Sequence, residues 1–111
     1  MSKMIYHNKL VRDKIPEIIR LNGKACETRK LSCDDFSHEL RKKLEEEVKE
    51  FLETPTNEEL ADILEVVDAL SSIAGSTLDD IMQIKKEKKK TRGGFSDRIF
   101  LEYVIGIDQK C

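Results

Sequence analysis

The chain has 111 residues and a formal net charge of -2, from 20 Lys+Arg against 22 Asp+Glu. Folding at this length hides roughly two thirds of the unfolded surface, enough for one modest core and a single domain over 1–111, and the near-neutral charge excludes a dedicated nucleic-acid binder. Aromatic residues make up only 5%, with no Trp, and charged residues 38%, a mix that favours helices joined through aliphatic stripes over a β-sandwich.

The first periodic stretch has Leu10, Val11, Ile15, Ile18, Ile19 and Leu21 spaced mainly by three and four, which predicts a short helix. Pro16 has no N–H to donate and fits a first turn, so the helix is expected to begin near Asp13 as its cap and to stop at Asn22-Gly23. Residues 24–31 alternate loosely and permit a short strand. Ser32 to Asp35 offer several caps for the longest helix, which carries Phe36, Leu40, Leu44, Val48, Phe51 and Leu52 to about Glu53. Thr54-Pro55-Thr56-Asn57 breaks it. Thr56 or Asn57 then caps a second long helix with Leu60, Ile63, Leu64, Val67, Leu70 and Ala74 on its apolar stripe. So short a connection makes the pair an antiparallel hairpin. After Gly75-Ser76-Thr77, Thr77 and Asp80 open a helix that runs through a lysine cluster to Arg92-Gly93-Gly94-Phe95. The apolar tail 98–107 reads as a strand that pairs with 24–31. The expected class is all-α, a bundle of about four helices with that small β-hairpin as its only sheet.

No stretch approaches the ~20 apolar residues that span a bilayer, and MSKMIYHNKL lacks the apolar core of a secretory signal, so the expected setting is cytoplasmic and off the membrane. Cys26, Cys33 and Cys111 have no CxxC spacing, and only His7 and His38 are there to join them. Neither a disulfide framework nor structural zinc is expected.

The chemistry concentrates on the hairpin. Glu45-Glu46-Glu47-Val48-Lys49-Glu50 on the first long helix is answered by Glu58-Glu59-Leu60-Ala61-Asp62 on the second. At about 100° per residue, Glu47 lies only about 60° from the centre of the Leu44/Phe51 stripe and therefore faces the core. Glu50 sits one turn later on that flank, while Glu46 points largely outward. Glu59 and Asp62 share a flank with Val66 and Ile73, a second apolar stripe that needs a partner, and this predicts a homo-oligomer.

Two carboxylates on each of two adjacent helices place four negative groups in one cleft. Their repulsion is relieved by raised pKa values or by a divalent cation. Hard oxygen ligands with room for water select Mg²⁺, with Mn²⁺ close behind. Glu65 and Asp68 form a competing pair on the weaker Ala61/Ala69/Ser72 side. The plainer reading is that these acidic faces are solvated and paired with Arg41, Lys42, Lys43 and Lys49.

Lys85, Lys88, Lys89 and Arg92 fall at three- and four-residue spacings and make one basic edge that can grip phosphates; a solvated helix end explains the run as well. Gly93-Gly94 suits either a close ligand approach or a plain helix stop. Lys9, Arg12, Asp13 and Lys14 form a second mixed-charge cluster to which the sequence assigns no role.

Glu46-Glu47-Val48-Lys49-Glu50 followed by Glu59-Leu60-Ala61-Asp62 resembles the E-E-x-x-E…E-x-x-D signature of the all-α nucleoside triphosphate pyrophosphohydrolases, the MazG-like and phosphoribosyl-ATP pyrophosphohydrolase-like superfamily. Asn8 to Pro16 and Arg92-Gly93-Gly94-Phe95 also look like segments of its small house-cleaning members. The resemblance implies a helical bundle assembled as a dimer or tetramer, with Mg²⁺ on Glu47, Glu50, Glu59 and Asp62, the four that the helical wheel selects independently. Only eight residues separate Glu50 from Glu59, fewer than in many members. The implied reaction is hydrolysis of a nucleotide to monophosphate and pyrophosphate. Glu46 would orient or deprotonate the attacking water, and Lys85, Lys88, Lys89 and Arg92 would hold phosphates. A non-catalytic helical interaction module and a phosphoribosyl-ATP hydrolase of histidine synthesis are the alternatives.

Overall fold

The computed structural model describes residues 3–106, and among these the chain is all-α. Its four helices are α1 (Ile15–Leu21), α2 (Cys33–Glu53), α3 (Asn57–Ile73) and α4 (Leu78–Arg92). By proximity the chain divides into two compact units, Met1–Leu78 and Asp79–Cys111.

In α1 the expected Asp13 cap does not form. Lys14 holds the cap position without a side-chain bond, and the Ile15 amide donates to the Arg12 carbonyl at 3.1 Å. The turn through Asp13 and Lys14 supplies that backbone acceptor, and Pro16 in the first turn has no amide to satisfy. The helix stops where Asn22-Gly23 predicts. Gly23 takes φ +79°, and the Gly23 and Lys24 amides donate back to the Arg20 and Ile19 carbonyls at 3.0 and 3.2 Å. A residue without Cβ enters this left-handed turn at little steric cost.

Side-chain caps set the starts of both long helices. The Ser32 hydroxyl accepts the Asp35 amide for α2, and the Thr56 hydroxyl accepts the Glu59 amide for α3, both at 3.2 Å. The two helices pack together across the turn Thr54–Thr56. Leu40 on α2 and Val66 on α3 are the best-buried apolar side chains, at 4% and 6% exposure. Ser71 is equally buried, and its hydroxyl is satisfied by donating to the Asp68 carbonyl at 2.6 Å.

The rotation of α3 differs from expectation. The stripe that meets α2 contains Glu59, Asp62 and Val66, with Ile63, Val67 and Leu70 of the expected stripe half-buried beside them, while Leu60 and Leu64 are exposed. Val66 therefore finds its cover inside the hairpin, while Ile73 of the same stripe stays 42% exposed. Both faces of α3 are apolar enough to pack, and the short turn with its Thr56 cap admits the rotation that sets Val66 against the α2 stripe.

In the second unit α4 is exposed along nearly its whole length, and the Gly93 amide closes it by donating to the Lys89 carbonyl at 2.8 Å. Neither expected strand forms: residues 24–31 and 98–106 are irregular, and residue 107 lies outside the described residues. A lone pair of short strands with no third neighbour or covering face is marginal in water, so loose alternation does not suffice to build one.

Candidate metal centre

The centre is built around Glu47. Its position beside the α2 stripe turns it into the hairpin, where it is 7% exposed. The capped first turn of α3 carries Glu59 to the same place, with Asp62 one turn on. Glu47, Glu59 and Asp62 each offer a carboxylate oxygen within 4.8 Å of the other two, and Glu46, Glu47 and Glu50 form a second group by the same measure. Glu47 belongs to both. All five of these carboxylates are buried or half-buried. Glu65 and Asp68 belong to neither group among the described residues.

The charge at this point is incompletely balanced. Lys43, one turn before Glu47, places Nζ 3.3 Å from Glu47 Oε1 and 3.4 Å from Glu46 Oε2. Glu47 Oε2 and Glu59 Oε2 are buried and accept no hydrogen bond. Burial raises the pKa of Glu47 above the ordinary carboxylate value, and the neighbouring Glu50 carboxyl adds to the rise, against the opposing pull of Lys43. A buried acceptor without a donor costs about 1–3 kcal/mol, more when charged. Two such oxygens belong to residues that converge on one point, where a divalent cation could meet the demand of both. The donor set, all carboxylate oxygen with no sulfur or imidazole, is of the kind that hard dications take.

The N-terminal segment closes one flank of the site, a placement with no signal in the helical pattern. Lys9 Nζ lies 3.5 Å from Glu46 Oε1, and Arg12 Nη2 donates to Asp62 Oδ1 at 2.7 Å across fifty residues of sequence. Glu46, expected to point outward, is half-buried because Lys9 and Lys43 cover it. The cover comes from its own chain and needs no partner. The mixed charges of residues 9–14 were the one available hint.

The basic edge lies in the other unit. Lys85, Lys88, Lys89 and Arg92 are all exposed on α4. Lys85 and Lys89 line a shallow hollow with Asp79, Met82, Gln83 and Lys86, whereas Lys88 and Arg92 do not line it. No helix among the described residues is long and apolar enough to cross a membrane. No family model, curated protein or solved structure matches the chain.

Proposed function

We propose that the chain is a Mg²⁺-dependent nucleotide pyrophosphohydrolase, of the MazG-like kind that its motifs resemble, acting as a house-cleaning enzyme in the cytoplasm. The observation that carries this reading is the buried, unpartnered Glu47 oxygen in a group shared with Glu59 and Asp62. Solubility alone gives no reason to bury an anion between two helices.

Glu47, Glu50, Glu59 and Asp62 would hold the cation. When bound, Mg²⁺ supplies neutralisation of phosphate oxygens and makes water acidic enough to react near neutral pH. The chain's own groups do the rest. Water adds across the anhydride between the α and β phosphorus atoms, so one phosphorus–oxygen bond forms as the bridging bond breaks, and monophosphate and pyrophosphate leave. Glu46, in reach of Glu47 and Glu50, would orient that water or accept its proton.

The decisive assay measures pyrophosphate released from canonical nucleotides, damaged nucleotides and phosphoribosyl-ATP, with and without Mg²⁺. We expect release from at least one nucleotide, lost to background in Glu50→Gln and Asp62→Asn while the helical CD spectrum is kept. An interaction module would release none and show no saturable Mg²⁺ or Mn²⁺ effect on thermal stability.

We also propose self-association as a dimer or tetramer. Its support is the exposed apolar flank of the hairpin, where Val48, Leu52, Leu60 and Leu64 range from 38% to 73% exposed. Light scattering at micromolar concentration is expected to give a multiple of the chain mass, and a monomer mass would overturn the assembly.

A further inference from the structure

The two cations that reach the acidic site from the N-terminal segment are placed unlike ordinary surface partners. Lys9 meets Glu46 on α2, and Arg12 meets Asp62 on α3, so one short stretch touches an acid on each helix. Its path is held at both ends. Asn8 adopts φ +44°, a left-handed value that asparagine tolerates better than most residues, and the Arg12 carbonyl is tied to the Ile15 amide at the start of α1. Lys9 also lines a cavity of about 240 Å³ together with Asn8, Leu10, Lys42, Lys43 and Glu46.

Asp62 belongs to the carboxylate group at the metal centre, so its oxygen is wanted by two cations. A divalent ion at that point competes directly with the guanidinium for Asp62 and repels what it displaces. An anion placed between the two positive charges removes the conflict. A phosphate chain is such an anion, and guanidinium binds phosphate oxygens through paired N–H donors.

We propose that Arg12, assisted by Lys9, is a counter-ion that exchanges partners: it neutralises Asp62 in the metal-free chain and moves to the phosphates of a polyphosphate ligand once the cation is bound. This rests on the metal-centre reading, and it adds a phosphate-binding group on the N-terminal segment. The exchange makes Arg12 an antagonist of the metal by itself and an ally of the metal with phosphate. Linkage then requires metal and polyphosphate to strengthen each other's binding through this side chain.

The test uses the full chain, Mn²⁺ followed by electron paramagnetic resonance, and Mg²⁺ tripolyphosphate followed by calorimetry. Arg12→Gln is expected to bind Mn²⁺ about threefold to tenfold more tightly than the parent and Mg²⁺ tripolyphosphate about tenfold more weakly. Arg12→Lys should recover part of the phosphate affinity, and Lys9→Gln should move both constants the same way by less. The Arg12 side chain is 56% exposed, so helical content should be unchanged. Mn²⁺ affinity in Arg12→Gln that is equal to or weaker than the parent's, or an unchanged tripolyphosphate affinity, overturns the exchange while the metal centre stands. Absence of saturable Mn²⁺ binding in the parent overturns the centre and the exchange together.

Discussion

The two flanks of the α2–α3 hairpin solve opposite problems. On one flank Glu46, Glu47, Glu50 and Asp62 are drawn partly out of water, with Lys9 and Lys43 against Glu46, Lys43 also against Glu47, and Arg12 against Asp62. On the other, Val48, Leu52, Leu60 and Leu64 stand in water with nothing of the hairpin over them. A chain built for stability alone would exchange these sets. Burying acids and exposing leucines both oppose folding, so the hairpin holds together through what lies between the flanks, around Leu40 and Val66.

The strongest way to break the contrast is to attack that middle. Leu40→Ala should destabilise the hairpin by about 2–5 kcal/mol in chemical denaturation, whereas Leu52→Ser, at 73% exposure, should change the stability of the separated chain by less than about 0.5 kcal/mol. Comparable losses in the two variants would mean that the leucine flank is part of the core.

Glu47→Gln sharpens the comparison from the acidic side by keeping the shape and deleting the charge. Because the folded state raises the Glu47 pKa, the folded chain holds that proton more tightly than the unfolded chain does. Its contribution to stability is complete below the ordinary carboxylate value and is lost as pH rises through the raised one. The metal-free variant should therefore melt a few degrees above the parent at pH 7, with the gap closing toward pH 4. A gap that widens on acidification would contradict the stated direction. Mn²⁺ should stabilise the parent and have little effect on the variant.

The smallest effect belongs to the pair Lys42–Glu39, 3.7 Å apart one turn along α2 with the lysine 60% exposed. Lys42→Ala should cost no more than about 0.5 kcal/mol, and added salt should erase the difference. A larger loss would show that the exposed Lys42 behaves like the half-buried Lys43.

The residues that could be read in advance are those governed by a single local pattern. One apolar stripe on α2 placed Leu40 inside and Glu47 beside it, and the caps of the two long helices fell within the candidates 32–35 and 56–57. α3 offered two stripes, and local periodicity cannot choose between Val66 and Leu64 when either can face a neighbour. Only the turn geometry decides that. Arg12 and Asp62 were each visible as charges, but fifty residues separate them and no periodicity links a loop to a helix. Residues 24–31 and 98–106 failed for a related reason, since alternation describes a strand's faces and says nothing about whether a second strand is at hand.

The Thr56 hydroxyl is bonded to the backbone of Glu59 itself. The hairpin turn is thereby a ruler as much as a connector: one hydroxyl sets both where a rod begins and where an acid group arrives. Adding a single residue between that bond and Asp62 would swing one acid about 100° around the axis relative to the other. Lengthening of this turn is tolerable only ahead of Thr56, which confines variation to the two positions Thr54 and Pro55.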